Sequence, residues 1–112
     1  MTNEELNTRL YERMFSEQEK YRRWLLTLPP AEILQHAYEY VMREDILLSQ
    51  ETSDLTDAQA KALLKSPTPL TDTFKDWEKR ETSHMDDIHE TLECRANKIL
   101  RDEFIRSRRE ER

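Results

Sequence analysis

The segment HMDDIHE, residues 84–90, gathers two histidines, two aspartates and a glutamate into seven positions. Such side chains ligate divalent metals or pass protons when the backbone brings them to one point. On a helix, His84 and His89 are five apart, about 140° from each other around the axis, so they cannot share one ion. Asp86 with His89, Asp86 with Glu90 and His89 with Glu93 have helix-neighbour spacing. Each pair offers two ligands, whereas zinc takes three or four protein groups. HETLEC lacks the second histidine of H-E-x-x-H, and His36 is the only other histidine in the chain. With Met85, Ile88 and Leu92 on the apolar side, Asp86, Asp87, Glu90 and Glu93 fall on the wet side of a helix. No metal and no cofactor are expected.

Other reactive residues are no better placed. Cys94 has Arg95 and Lys98 nearby, cations that favour a thiolate, but a single cysteine is more often a small packing residue. Glu44 and Asp45 are adjacent, so they point in different directions and form no carboxylate dyad. Ser49, Ser53 and Ser83 lack a nucleophile-elbow context. His36, beside Ala37 and Tyr38, reads as a boundary residue. A metal- or thiol-dependent enzyme stays only as an alternative, to be tested by metal analysis and a Cys94→Ala variant.

Surface charge is the remaining chemistry. Residues 44–57 hold five acids and no base: Glu44, Asp45, Glu51, Asp54 and Asp57. Residues 76–93 hold seven acids and two bases, among them Asp76, Glu78, Asp86, Asp87, Glu90 and Glu93. The plain reading is solvated surface. The sharper one is a set of acidic faces that bind a basic protein, where charge steers association and aromatics hold it. Trp24, Trp77, Tyr11, Tyr21, Tyr38 and Phe74 are expected mainly in the core, with one or two of the nine aromatics facing a partner.

Composition fixes the elements that must carry these residues. The 112 residues are 36% hydrophobic and 38% charged, so the core is thin and drawn from narrow helical stripes. There is no glycine. That removes the hairpin turns of most β folds and the phosphate loops of P-loop and Rossmann proteins. The class is all-α. Residues 1–94 balance at −9 (11 Lys/Arg, 20 Asp/Glu) and residues 95–112 at +3 (7 Lys/Arg, 4 Asp/Glu). An acidic body repels a nucleic-acid backbone, so direct nucleic-acid binding is not expected. The longest apolar runs, WLL and ILL, are far too short to span a bilayer, and the start lacks a signal-peptide core. One cysteine permits no internal disulfide. A cytoplasmic protein is expected.

A first helix starts after Thr2 or Asn3, carries the stripe Leu6, Leu10, Met14, Tyr21, Trp24, Leu25 and Leu28, and stops at Pro29–Pro30. Tyr11 and Phe15 widen that stripe. The same prolines open a second helix over roughly 30–50, with Ile33, Leu34, Ala37, Tyr38, Val41, Ile46, Leu47 and Leu48 apolar. So short a link makes the two an antiparallel pair. Thr56 with Gln59 reads as a capping box for a short third helix through Leu63 and Leu64, which KSPTPLTD ends.

From Leu70 no proline intervenes, and one helix to about residue 105 is predicted, with a break near 81–83 left open by Thr82 and Ser83. Its apolar positions repeat every eleven residues (Phe74, Met85 and Ala96; Trp77, Ile88 and Ile99) and Glu81 and Glu103 interrupt the stripe. Its 36 residues would reach about 54 Å at ~1.5 Å per residue, further than the helical pair can cover. The end from Phe104 therefore projects or docks on another chain. Leu92, Ala96, Ile99 and Leu100 suggest a homodimer seam. Residues 1–105 are expected as one helical domain and 106–112 as a frayed basic tail.

The opening NEELNTRLYERMFSEQEKYRRWLLTLPPAEILQHAYEY, followed by REDIL and DAQAKALLKSPTPLTDTFKDWEK, resembles a family of small proteins encoded on conjugative and integrative elements of Gram-positive gut bacteria, catalogued as a domain of unknown function. The likeness covers residues 3 to 93, including LPPAEIL and LLKSPTPL, and stops before the basic segment. It brings scaffold motifs and no catalytic residues. It implies an accessory or regulatory protein of a mobile element acting through protein contacts. Such elements also carry acidic inhibitors of defence nucleases, of the anti-CRISPR type, whose carboxylates stand where phosphates would bind.

Overall fold

The computed structural model describes residues 1–80 and 84–110. Five helices occupy them, with no strand among the described residues: α1 Asn3–Leu25, α2 Pro30–Thr52, α3 Asp57–Leu64, α4 Pro69–Arg80 and α5 His84–Glu110. The protein is all-α. Its residues group into two compact units, Met1–Glu78 and Lys79–Arg112.

Helix ends in the first unit follow local chemistry. Thr2 caps α1, its hydroxyl accepting the Glu5 N–H, with Glu4 and Glu5 in the first turn against the positive helix end. No described residue has positive φ, as befits a chain without glycine. α1 therefore ends by tightening rather than by a left-handed cap: Leu26 is right-handed and Thr27 and Leu28 donate to the Trp24 and Leu25 carbonyls at 3.0 Å. Pro30 occupies the first turn of α2, where its missing N–H has no helical partner to lose. The Thr56–Gln59 capping box is present in both directions.

α1 packs against α2 and α3. Leu6, Leu10 and Met14 of α1 meet Leu47, Ala60 and Leu70, with Tyr11, Ile46, Leu55, Leu63 and Leu64 around them. Leu25 and Phe74 are buried as well. Truncating a fully enclosed residue such as Leu10 costs about 3 kcal/mol, which so thin a core can hardly spare.

Polar residues take places that apolar periodicity leaves blank. Asn7, Gln18, Arg43 and Gln50 are all buried. Gln18 fills the gap in the α1 stripe between Met14 and Tyr21. Asn7 grips the α2–α3 loop: its Oδ1 accepts the Leu55 N–H at 2.9 Å and its Nδ2 donates to the Leu55 carbonyl at 3.0 Å. Gln50 Nε2 donates to the Asn7 carbonyl at 3.1 Å. Arg13 closes α3 by donating to the carbonyls of Leu64 and Ser66.

Several expectations are corrected. Phe15, Trp24, Leu34, Tyr38, Val41, Leu48 and Trp77 are exposed rather than core. Buried amides and Arg43 occupy part of the inner volume, so fewer apolar groups fit there. Of the helix expected from Leu70 to about 105, α4 covers Pro69–Arg80 and α5 covers His84–Glu110. The open break at 81–83, with Glu81, Thr82 and Ser83, lies outside the described residues. α5 runs on to Glu110, past the fraying expected from 106. Within the second unit Met85, Ile88, Leu92, Ala96, Ile99 and Leu100 are exposed, so the apolar side assigned to Met85, Ile88 and Leu92 is no core.

Candidate functional site

α2 is the element with two working faces. Inward, Arg43, Leu47 and Gln50 are buried at helical spacing. Arg43 anchors the helix. Its Nε donates to Gln18 Oε1 at 2.9 Å, and its Nη1 donates to Thr71 Oγ1 at 3.1 Å and to Glu39 Oε2 at 3.4 Å. The guanidinium lies 4.3 Å from the centre of the Tyr21 ring. A cation taken from water needs this company of acceptors, anion and ring face. Glu17 extends the network, accepting the Leu70 and Thr71 N–H groups at 3.0 Å and the Thr71 hydroxyl at 3.2 Å, so an α1 carboxylate caps α4.

The packing also perturbs two phenols. Burial, then the charge of Glu39, pushes the Tyr21 hydroxyl up to about 12, against a smaller downward pull from Arg43. Burial and then Glu44 raise that of Tyr40.

Outward, α2 carries Leu34, Val41 and Leu48, each seven residues from the next and 76%, 50% and 55% exposed. Seven residues are two helical turns, so the three side chains form one line along the helix, as in a coiled-coil seam. Tyr38 and Asp45 stand between them at the alternate positions. Glu44 and Glu51, also seven apart and exposed, run beside the line. Trp77 closes one edge, lining with Met42, Asp45, Ile46 and Ser49 a shallow apolar pocket of about 290 Å³.

The acidic candidates are thus sorted. Glu44 also serves the fold, accepting from Gln18 Nε2 at 2.9 Å. Asp57 does likewise, accepting from Asn3 Nδ2 at 2.7 Å. Asp45 sits within the apolar line. Glu51 and Asp54 face Glu4 across a second hollow lined by Asn7, Thr8, Tyr11 and Gln50. Asp76 and Glu78 are exposed on α4. In the second unit Asp86, Asp87, Glu90 and Glu93 are exposed on α5, as is Cys94. His89 Nε2 lies 2.7 Å from Glu93 Oε1, the i, i+4 neighbour, and both side chains are well exposed. The side chain of His84 lies outside the described residues. Among the described residues no three of His, Cys, Asp or Glu come together so as to hold a metal ion. His36 is half-buried, edge-on to Trp24 with ring centres 5.0 Å apart.

The line on α2 was missed as a surface because its residues merged with the inner stripe. The 34–41–48 repeat, distinct from the 43–47–50 spacing of the buried face, is the signal that separates the two.

Fold and surface together define a small all-α protein that presents exposed apolar lines on long helices. A family model described as "Protein of unknown function (DUF3848)" matches residues 6–100, and the chain belongs to that family. No curated protein and no solved structure matches the chain. Among the described residues no helix is long and apolar enough to cross a membrane.

Proposed function

We propose that this is a non-catalytic binding protein, an accessory or regulatory factor of a mobile genetic element, that acts by holding another protein on the outer face of α2. The observation that carries this reading is the line Leu34–Val41–Leu48, exposed on a helix whose opposite face is already fixed by Arg43, Leu47 and Gln50. An apolar line of that spacing takes an amphipathic helix, read at every third and fourth residue. Glu44, Asp45 and Glu51 beside it favour a partner helix bordered by lysine or arginine. The mobile-element setting rests on the motifs LPPAEIL and LLKSPTPL.

The test is comparative capture. Tagged wild-type chain and a Val41→Glu/Leu48→Glu variant are expressed in the host and the retained proteins identified by mass spectrometry. A basic partner held by the wild type and lost from the equally folded variant is the expected result. Partners retained equally by both would contradict the α2 surface.

A second reading narrows the partner to a defence nuclease blocked by nucleic-acid mimicry. Its support is the exposure of Asp45, Glu51, Asp54, Asp76, Glu78, Asp86, Asp87, Glu90 and Glu93. It requires that the complex weaken steeply with salt and compete with DNA or guide RNA. A complex indifferent to added nucleic acid rules it out.

A further inference from the structure

The hollow at the edge of the α2 line has a chemistry that the line itself lacks. Met42, Asp45, Ile46 and Ser49 of α2 and Trp77 of α4 line it, all within the unit Met1–Glu78. Met42, Ile46 and Ser49 are four and three residues apart, so they stand on one side of α2, with Asp45 three from Met42. At about 290 Å³ the hollow lies below the roughly 300–1,000 Å³ of pockets that take whole small molecules. It has room for one side chain.

The lining says which side chain. Met42 and Ile46 are half-buried apolar walls, and Trp77 keeps 42% of its surface exposed. Asp45 is exposed at the same hollow, and among the described residues nothing hydrogen-bonds to it or pairs with it. A leucine or phenylalanine seated here would cover the walls but strip water from a carboxylate and return nothing for it. A lysine would pair with the carboxylate, but its ammonium is compact, strongly hydrated and not planar, so it does not stack on a ring. A guanidinium meets both demands. It is planar and weakly hydrated, lies over an indole, and donates two parallel N–H bonds to a carboxylate. The methylene stem behind it covers Met42 and Ile46, and the Ser49 hydroxyl can accept a further N–H. The chain's own cation on α2, Arg43, is buried and engaged by Gln18, Glu39 and Thr71, so it does not fill the hollow.

We infer that this hollow receives one arginine side chain of the protein partner, its guanidinium held by the Trp77 ring and the Asp45 carboxylate. The inference rests on the proposed docking of a partner along α2. It gives that partner a required residue, an arginine beside the apolar positions that meet Leu34, Val41 and Leu48.

The test uses the full chain and two probes, Nα-acetyl-arginine methylamide and its citrulline counterpart, which keeps the stem and the planar head without the charge. Proton–nitrogen NMR follows the indole N–H of Trp77, with Trp24, the other tryptophan, as the control. The arginine probe is expected to shift Trp77 saturably, in the millimolar range, with Trp24 unmoved. The citrulline probe is expected to bind about fivefold more weakly. Asp45→Asn, at an exposed position, is expected to erase the difference between the probes, and Trp77→Leu to weaken both, read then from the Ser49 amide. Equal binding of the two probes to the wild type overturns the inference. So does a Trp24 shift that tracks Trp77, a preference for arginine that survives Asp45→Asn, or the absence of any saturable shift. Partner capture with Val41→Glu/Leu48→Glu tests the α2 line without these probes, so the two readings fail separately.

Discussion

Arg43 Nε donates to Gln18 Oε1 at 2.9 Å across the α1–α2 interface, with both side chains buried. An apolar protein of this size would place leucines at both positions. Here a fixed hydrogen bond sets the register between the two helices, and Thr71 and Glu17 carry the same network to α4. The register decides which face of α2 turns outward, so the buried polar pair determines which residues form the exposed apolar line.

The pair predicts a non-additive mutant cycle. Gln18→Met strands a buried guanidinium donor and lowers stability by about 2 kcal/mol. Arg43→Ala removes the cation together with its packing and costs roughly 3 kcal/mol. Gln18→Met/Arg43→Met, which replaces both with apolar groups of similar shape, is expected to lose less than Gln18→Met and Arg43→Met do in sum. Urea unfolding checks this; strict additivity would show that the two side chains do not act as a unit.

Asn7 makes a separable prediction. Its amide bonds both backbone groups of Leu55, whose carbonyl also accepts from Asn3 Nδ2, so Asn7→Ala strands the Leu55 N–H and costs about 1 kcal/mol. The α2–α3 loop should open first. Amide exchange at Leu55 is expected to accelerate well beyond that at Leu10.

Glu17 tests the cap on α4. Glu17→Ala removes the acceptor for the Leu70 and Thr71 amides and is expected to cost about 1 kcal/mol, measured by thermal melting. Glu17→Gln keeps an acceptor oxygen and should lose less.

Tyr21 predicts the alkaline limit. Its hydroxyl is held near 12 in the folded chain, against 10.0 for an ordinary tyrosine. The unfolded chain therefore releases this proton first as pH rises. The stabilising contribution is complete below pH 10 and is lost between about 10 and 12. Stability of the wild type should fall more steeply over that window than stability of Tyr21→Phe, and absorbance at 295 nm should show a late-ionising tyrosine that Tyr21→Phe lacks.

Much of the fold was legible because its signals are local. Thr2, the Thr56–Gln59 box and the Pro29–Pro30 and Pro67–Pro69 pairs act on their own backbone, and the helices start and stop where these residues require. The buried polar set was not legible. Asn7, Gln18 and Arg43 look like surface residues until the partner 22 to 48 positions away is known, and only tertiary structure supplies it. Leu34, Val41 and Leu48, on the opposite face of α2 from Arg43, read as core because apolar type alone does not say which face turns inward. The acidic candidates were found by type, but Glu44 and Asp57 prove to have structural hydrogen bonds, which no count of charges reveals. The extent of α5 was underestimated because its basic end looks like tail, although Arg108 and Arg109 suit the negative end of a helix.

The role proposed for the outer line of α2 is to hold another protein. Hydroxyl-radical footprinting of the chain, alone and with its captured partner, reads the side chains of Leu34, Val41 and Leu48 directly. Severalfold slower oxidation at all three in the complex, with Leu10 unchanged, is the predicted result. Unchanged oxidation of the line in a complex that has formed would contradict it.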